Sequence, residues 1–203
     1  EGSSKLAAEI ADCPIINCGD ATHNPIQALV DLYSIRATKG KITGLEIGII
    51  GDLKNSQDIK SFIQVLSNFD AKIHLISREE LRLSGHFLHD FRTQAEHRSD
   101  FGIYELRYLK DCISKLDVLD LSNLELVTEG NKPKYVIDET ALKSAKHSLM
   151  ILPPMPQKAE LPVDLETSLS PSSATPLGTF FTQAKIAVPL AMALLEHVLK
   201  FQK

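Results

Sequence analysis

Two histidines and an aspartate, His86, His89 and Asp90, are spaced so that they could share one face of a helix. Imidazole nitrogens and carboxylate oxygens are common zinc ligands, so this group could bind a metal ion. The spacing places no fourth ligand, however, and polar residues at helical spacing more often form a solvated face. We therefore predict an exposed polar face and no metal site.

Two further patterns match functional motifs only in part. Gly48-Ile49-Ile50-Gly51 precedes a predicted helix but lacks the three-glycine spacing of a dinucleotide-binding turn, which favours simple strand packing. Cys13 and Cys18 flank a short apolar stretch, and we expect packed thiols rather than nucleophiles because no base is placed to activate them. No cofactor is predicted.

The composition is that of a globular protein of one domain or two small ones. The chain has 203 residues, of which 43% are hydrophobic and 24% charged. The formal net charge of −4 argues against a nucleic-acid partner, since no basic field is available to hold a polyanion. No apolar run approaches the roughly 20 residues that cross a bilayer, which argues against a membrane partner. Three cysteines without CxxC spacing indicate a reduced, cytoplasmic protein.

The middle of the chain alternates short apolar runs with amphipathic stretches. Strands are predicted at 45–52, 72–77, 103–109, 118–122 and 148–154, and helices at 56–70, 79–98, 109–117 and 138–146. Repeated strand–helix units predict an α/β fold, a doubly wound parallel sheet with helices on both faces. In such a fold, ligands bind at the carboxyl ends of the strands.

Two helices lie outside this alternation. One is predicted at 26–38, and the other at 179–202, where Pro189 should kink or interrupt it. Residues 165–178 are rich in Ser, Pro and Thr and predict a surface loop, with a phosphorylated or binding segment as the alternative.

Five stretches, in chain order, resemble the second half of an aspartate carbamoyltransferase of the aspartate/ornithine carbamoyltransferase family. They are EGSSKLAAEIADCPIINCGD, HNPIQALVDLYSI, GDLKNSQDIKSF, LPPMPQ and FFTQAKIAVPLAMALL. The resemblance implies a helix and strand within residues 1–20, as a remnant of the first, carbamoyl phosphate lobe. Residues 21–178 would form the aspartate-binding lobe with its hinge helix. Residues 179–203 would form a C-terminal helix that packs on a first lobe or a partner.

The family transfers the carbamoyl group of carbamoyl phosphate to the amine of L-aspartate, a step of pyrimidine biosynthesis. Such chemistry needs cationic donors for the phosphate, for the developing charge on the carbamoyl oxygen and for both carboxylates. The family's Ser-Thr-Arg-Thr phosphate loop is not found in this sequence. We therefore expect the chain to begin inside the first lobe, after that loop.

Several family positions have lost their charged side chains. Asn24 stands where the family has a histidine that donates to the carbamoyl oxygen, and Gln57 where an arginine binds the α-carboxylate. Asn123 replaces the arginine for the side-chain carboxylate, and Glu125, at a family glutamine, would repel an anion. His23 could replace the missing histidine by a small shift of the hinge.

Other family positions are retained. Gln27 matches the glutamine near the carbamoyl nitrogen, and Lys54 closes the Gly-Asp-Leu-Lys motif. Pro154, Met155 and Pro156 keep the turn whose backbone carbonyls would meet the substrate.

The fold-making residues are thus kept while the charged ones are lost. Because a hydrogen bond to a charged group is worth about 1.5–3 kcal/mol, three lost donors would cost roughly 5–9 kcal/mol. That corresponds to a thousandfold or greater loss of catalytic efficiency, on the order of tenfold per 1.4 kcal/mol. We therefore predict a catalytically silent or strongly impaired domain with a structural or regulatory role.

Two alternatives stay open. A carbamoyltransferase for L-aspartate or a less anionic amine could be completed by a first lobe or a neighbouring chain, and a small-ligand sensor could use the crevice between lobes. Family members are trimers, so the resemblance implies a homo- or hetero-oligomer, with carbamoyl phosphate or an amino acid as the ligand. Leu194, Leu195 and Val198 are expected to seek another chain.

Overall fold

The computed structural model describes residues 2–20, 23–95, 101–123, 128–129, 132–133, 143–152 and 180–200. The helices are α1 (Ser3–Ile10), α2 (Pro25–Lys39), α3 (Gln57–Leu66), α4 (Gly85–Ala95) and α5 (Phe180–Lys200). The strands are β1 (Glu46–Gly51), β2 (Lys72–Ile76), β3 (Gly102–Leu106), β4 (Val118–Asn123), β5 (Thr128–Glu129), β6 (Lys132–Pro133) and β7 (Met150–Leu152). Among the described helices, none is both long and apolar enough to span a bilayer.

Five strands form a parallel sheet in the order β3-β2-β1-β4-β7, which confirms the predicted α/β fold. The chain moves outward from β1 through β2 to β3 and then returns to β4 on the other side of β1. This change of direction creates a switch point between the carboxyl ends of β1 and β4, where α/β proteins bind ligands. Strands β5 and β6 form a separate antiparallel pair.

The two faces of the sheet bury different clusters. On one face, Ile47 and Ile49 of β1 pack in a cluster with residues of α2, α3 and α4. On the other face, Ile50 packs with residues of the segment 109–116. The sheet is therefore covered on both sides, with the three helices on one face and the short segment on the other.

The prediction of an α-helix at 109–117 is wrong. The structure has a 3₁₀ turn at Leu109–Asp111, after which Cys112 leaves the helical region with φ −134° and ψ −16°. The connection from β3 must pass two intervening strands to reach β4, about 14 Å sideways, and must also return to the amino edge of the sheet. Nine residues in an α-helix extend only about 13 Å, so a more open path is needed.

Gly48 lies inside β1 rather than in a turn, which supports strand packing over a dinucleotide-binding motif. A Cβ atom on Gly48 would lie 2.5 Å from Leu116 Cδ1 and 3.2 Å from Leu119 Cδ1. The absent side chain thus lets the segment 109–116 approach the sheet closely.

Other predicted elements differ in detail. The helix predicted at 79–98 is split into a 3₁₀ turn at Glu79–Leu81 and α4. Helix α5 continues through Pro189, so of the predicted kink or interruption, the interruption is wrong. The strand implied within the first 20 residues is absent, since residues 11–20 are irregular and pair with no described strand. The predicted helix at 138–146 lies mostly, and the loop at 165–178 entirely, outside the described residues.

Candidate functional site

The start of α2 lies beside the second turn of α3, towards the carboxyl edge of the sheet. The backbone N–H of Asn24 donates to Ser61 Oγ of α3 at 2.9 Å. At the other end of α2, Lys39 Nζ donates to the carbonyl of Ser148, just before β7 begins at the amino edge. Helix α2 therefore runs from the carboxyl edge to the amino edge, and its N-terminus faces the predicted ligand region.

Asn24 is the N-cap of α2. Its Oδ1 accepts a hydrogen bond from the Gln27 backbone N–H at 3.4 Å, and proline follows at the first helical position. Asparagine and an N1 proline are both favoured at helix starts, because the capping oxygen satisfies a free N–H and proline has none to satisfy. The oxygen of Asn24 is thus engaged by the helix, while its Nδ2 makes no hydrogen bond to the described residues.

Gln27 is held by a carboxylate one turn further along α2. Its Nε2 donates to Asp31 Oδ1 at 2.9 Å. Asp31 is only 4% exposed and takes part in a further polar interaction. Gln27 itself is half-buried.

The turn after β1 is rigidly held. The buried Asp52 carboxylate accepts from the Asn55 backbone N–H at 3.1 Å and from Asn55 Nδ2 at 2.8 Å. The backbone N–H groups of Leu53 and Lys54 both donate to the Leu81 carbonyl, at 3.1 and 3.0 Å. The Lys54 side chain therefore projects, exposed, from a fixed backbone.

Helix α3 begins directly after this turn. Ser56 caps it, its Oγ accepting from the Ile59 N–H at 3.2 Å. Gln57, the first residue of α3, is half-buried and makes no side-chain hydrogen bond within the described part. A neutral amide thus stands at the helix start where the resemblance implies a carboxylate-binding arginine.

The remaining predicted site residues are placed less fully. Asn123 ends β4 and pairs in register with Gly51, which puts its backbone beside the turn that carries Lys54. The backbone of His23 forms a turn with Asp20, donating to Asp20 Oδ1 at 2.8 Å and accepting from the Asp20 N–H at 3.0 Å. Its imidazole makes no hydrogen bond to the described residues. Glu125, Pro154, Met155 and Pro156 lie outside the described residues.

Three residues of this region were missed by sequence reasoning: Asp31, Asn55 and Ser61. A signal for Asp31 was present, since glutamine and aspartate four positions apart on a helix form hydrogen bonds. Ser61 joins α2 to α3 across 37 positions, and no local pattern indicates such a contact.

The polar groups on α4 and the cysteines make no hydrogen bond to Asn24, Gln27 or Lys54 within the described residues. His86 Nδ1 lies 3.2 Å from Asp90 Oδ2 on the exposed side of α4. No group of three metal-ligating side chains occurs in the described ranges. Cys13 and Cys18 are exposed, so their predicted packing is wrong; the irregular segment at 11–20 provides no core to bury them.

Cys112 is the buried thiol. Burial, together with the negative charges of Asp111 and Glu46, raises its pKa to about 11. A thiol with such a pKa is almost wholly protonated near neutral pH, which excludes it as a nucleophile.

Comparison with known proteins gave consistent matches. The chain is 36% identical over 209 residues to the aspartate carbamoyltransferase catalytic subunit of Thermofilum pendens, covering 98% of this chain and 62% of that protein. It is 36% identical over 208 residues to the same subunit of Korarchaeum cryptofilum, covering 98% and 65%. No family model matches.

Solved structures agree. The catalytic subunit of M. jannaschii aspartate transcarbamoylase superposes with a TM-score of 0.80 at 29% identity, covering 100% of this chain and 64% of that one. The Trypanosoma cruzi enzyme in complex with N-(phosphonacetyl)-L-aspartic acid gives 0.78 at 25% identity, covering 96% and 60%. The chain thus spans a little under two thirds of the proteins it matches.

Proposed function

The chain belongs to the aspartate carbamoyltransferase family, and from this premise we propose that it is a catalytically silent or strongly impaired carbamoyltransferase domain with a structural or regulatory role. The observation that carries the proposal is the neutral chemistry of its site. Asn24 and Gln57 occupy the starts of α2 and α3, where the family resemblance implies a histidine and an arginine.

The chemistry of carbamoyl transfer explains why these substitutions matter. Negative charge develops on the carbamoyl oxygen, and a site stabilises it with donors that are already positioned before the reaction. The Asn24 Oδ1 accepts the capping hydrogen bond of α2, so only the amide nitrogen Nδ2 could donate to a ligand. A neutral amide nitrogen is a weaker donor to an oxyanion than a cationic group. Binding of a dicarboxylic acceptor suffers in the same way, because Gln57 and Asn123 carry no charge.

A role within a larger assembly is supported by uncovered apolar surface. None of the residues of α1 is buried, and Leu6 and Ile10 are largely exposed. On α5 the exposed apolar residues are Val188, Met192, Leu195 and Leu199. Leu194 and Val198 are half-buried on the other side of the helix, so of the residues expected to seek another chain only Leu195 is fully on the outer face. Apolar surfaces of this kind mark contacts with another domain or chain.

A second candidate is a working carbamoyltransferase with a less anionic acceptor, completed by residues from elsewhere. Two observations favour it. The Gln27 amide donates a hydrogen bond to the buried Asp31 carboxylate, and Lys54 lies in a turn whose backbone is held by hydrogen bonds to Leu81. A decayed site has no need to maintain either arrangement.

The decisive experiment measures ligand binding and turnover together. The purified chain is titrated calorimetrically with carbamoyl phosphate and then with N-(phosphonacetyl)-L-aspartic acid, and formation of carbamoyl aspartate is assayed. The same measurements follow with the carbamoyl phosphate lobe of a matched relative added as a separate chain. The proposal expects that turnover in either case is absent or at least about a thousandfold below that of the relative's own enzyme.

A matched variant shows whether turnover is absent because of the substituted site residues or because the carbamoyl phosphate lobe is absent. Asn24→His combined with Gln57→Arg and Asn123→Arg restores the side chains that the family resemblance implies at these three positions, and circular dichroism checks that the variant keeps its fold. Turnover by the variant plus lobe, and none by the natural sequence plus lobe, supports the proposal. Turnover of L-aspartate by the natural sequence at a rate close to that of the variant overturns it, and turnover with only another amine supports the second candidate.

A further inference from the structure

The last residue of α2, Lys39, contacts the segment that leads into the edge strand β7. Its Nζ donates to the carbonyl of Ser148, and this contact lies on the surface of the molecule. Helix α2 has 15 residues and is therefore roughly 20 Å long, which puts Lys39 at the opposite end from Asn24. The proposed function makes no use of this amine.

Lys39 forms no ion pair with a carboxylate in the described part of the chain. Asp117 is the carboxylate whose charge acts on it, but both oxygens of Asp117 are engaged elsewhere. Oδ1 accepts from Lys146 Nζ at 2.7 Å, and Oδ2 accepts from the Glu46 backbone N–H at 3.0 Å. A half-buried Lys39 ammonium would thus donate only to a neutral carbonyl and would feel the charge of a second lysine.

These surroundings disfavour the charged form of the amine. Burial lowers the pKa of Lys39, the negative charge of Asp117 opposes this change, and the positive charge of Lys146 adds to it. Loss of water and a nearby like charge are both expected to act on an ammonium in this direction. More of the Lys39 amine is therefore unprotonated near neutral pH, and the unprotonated amine is the nucleophilic form of lysine.

We propose that Lys39 is an acylation site whose amine takes the acyl group of small acyl phosphates. The lone pair of Nζ attacks the acyl carbon, an N–C bond forms, and the C–O bond to the phosphate breaks. The phosphate leaves with the bonding electrons and the amine loses a proton to it or to solvent, so no oxidant or reductant takes part. Acyl phosphates are the class indicated, because their anionic leaving group is attracted by the Lys146 cation.

The contact with Ser148 is compatible with this reaction. A carbonyl oxygen accepts one N–H of the amine and leaves the nitrogen lone pair unused. The amide product carries no charge, so acylation removes a cation from the carbonyl end of α2, where positive charge is favoured. Acylation therefore changes the contact between α2 and the start of β7.

Isotope-labelled acetyl phosphate tests the site in the whole chain. At pH 7.5 and low conversion, peptide mass spectrometry should show faster acetylation of Lys39 than of Lys5 and Lys185, which are exposed lysines on α1 and α5. The same reaction in urea is the control for local sequence. Because urea removes the fold and with it the neighbours of Lys39, the three rates should become equal.

Two variants alter the charge around Lys39 in opposite directions. Lys146→Gln removes the like charge and releases Asp117 Oδ1, so acetylation of Lys39 should slow. Asp117→Asn removes the attracting charge but can still accept from the Glu46 N–H, so acetylation should become faster. Lys72→Gln is the matched control, because Lys72 also lies at the amino edge but pairs with Glu46, at 3.6 Å. Circular dichroism checks that each variant is folded.

The inference is supported if Lys39 reacts fastest in the folded chain, loses this advantage in urea and responds with opposite signs to the two variants. Acetylation of Lys39 that is equal to or slower than that of Lys5 and Lys185 overturns it, and this comparison needs no substitution. An effect of Lys72→Gln as large as that of Lys146→Gln also overturns it. The proposed function is tested by turnover of L-aspartate, so its failure is a separate result.

Discussion

Asn24 has a structural task that accounts for its side chain independently of any chemistry. Its Oδ1 caps α2, and its backbone N–H ties α2 to Ser61 of α3. Asn24→Ala should lower the free energy of unfolding by about 1 kcal/mol, the usual value of a lost N-cap, whereas Asn24→Ser should retain most of it. Urea denaturation of the two variants measures the difference. Equal stability of the alanine and serine variants would show that the cap contributes nothing.

Cys112 gives a prediction for high pH. Because burial raises its pKa from 9.0 to about 11, the unfolded chain loses this proton at a lower pH than the folded one. The resulting stabilisation is complete below about pH 9 and is lost as the pH rises towards 11, by up to roughly 2–3 kcal/mol. Denaturation between pH 8 and 10.5 should show a steeper decline for the natural chain than for Cys112→Ala. An equal loss of stability with pH in the two proteins would contradict a raised pKa for Cys112.

The three thiols should also differ in reactivity. Cys13 and Cys18 are exposed, and Cys112 is buried. A thiol reagent at pH 7.5 should therefore modify the first two in the folded protein and Cys112 only after unfolding, because the thiolate is the reactive form. Mass spectrometry of the labelled peptides reads the result. Rapid labelling of Cys112 in the folded chain would mean that its surroundings open readily.

Part of the site could be predicted at this scale. Asn24, Gln27 and Lys54 could be placed at element ends because motif and local pattern agree there. Asp31 could have been found from its spacing to Gln27. The exposure of Cys13 and Cys18 could not, because an apolar neighbourhood in the sequence does not say whether a core is near enough to cover it.

Among the elements, β1 depends on a glycine for its packing. Gly48→Ala would place a methyl group against the buried side chains of Leu116 and Leu119, at separations of 2.5 and 3.2 Å before any adjustment. Overpacking of this kind typically costs about 1–3 kcal/mol. Gly85→Ala is the matched control, since its Cβ would meet nothing within 4 Å. Thermal unfolding should separate the two, and Leu116→Ala should relieve part of the loss in the Gly48→Ala background.

The elements themselves were largely predictable, and the exception has a geometric cause. Strands β1, β2 and β4 are largely buried and rich in branched residues, and such stretches are recognisable without any tertiary information. The segment 109–116 has helical spacing but must cross two strands, and the order of strands in a sheet is not encoded in local periodicity. The distance that this segment must cover between β3 and β4 therefore outweighed its local preference for an α-helix.

For the whole molecule, the main question is what covers α5. This helix packs against α2 on one side and presents Val188, Met192, Leu195 and Leu199 on the other. These residues are spaced by four, three and four positions, so they form a continuous apolar stripe along the helix. The chain spans a little under two thirds of the relatives it matches.

The stripe should therefore cause the isolated chain to associate. We expect sedimentation velocity to show a mass that increases with protein concentration, and we expect Met192→Glu with Leu195→Glu to restore a monomer without lowering the melting temperature. Lys185→Gln is the matched control, because it changes an exposed polar position of the same helix and leaves the stripe intact. Addition of the carbamoyl phosphate lobe of a relative should suppress self-association of the natural chain and have no effect on the double variant. A natural chain that stays monomeric at all concentrations and does not bind that lobe would remove the support for an assembly role, because its apolar faces would then be stable in water.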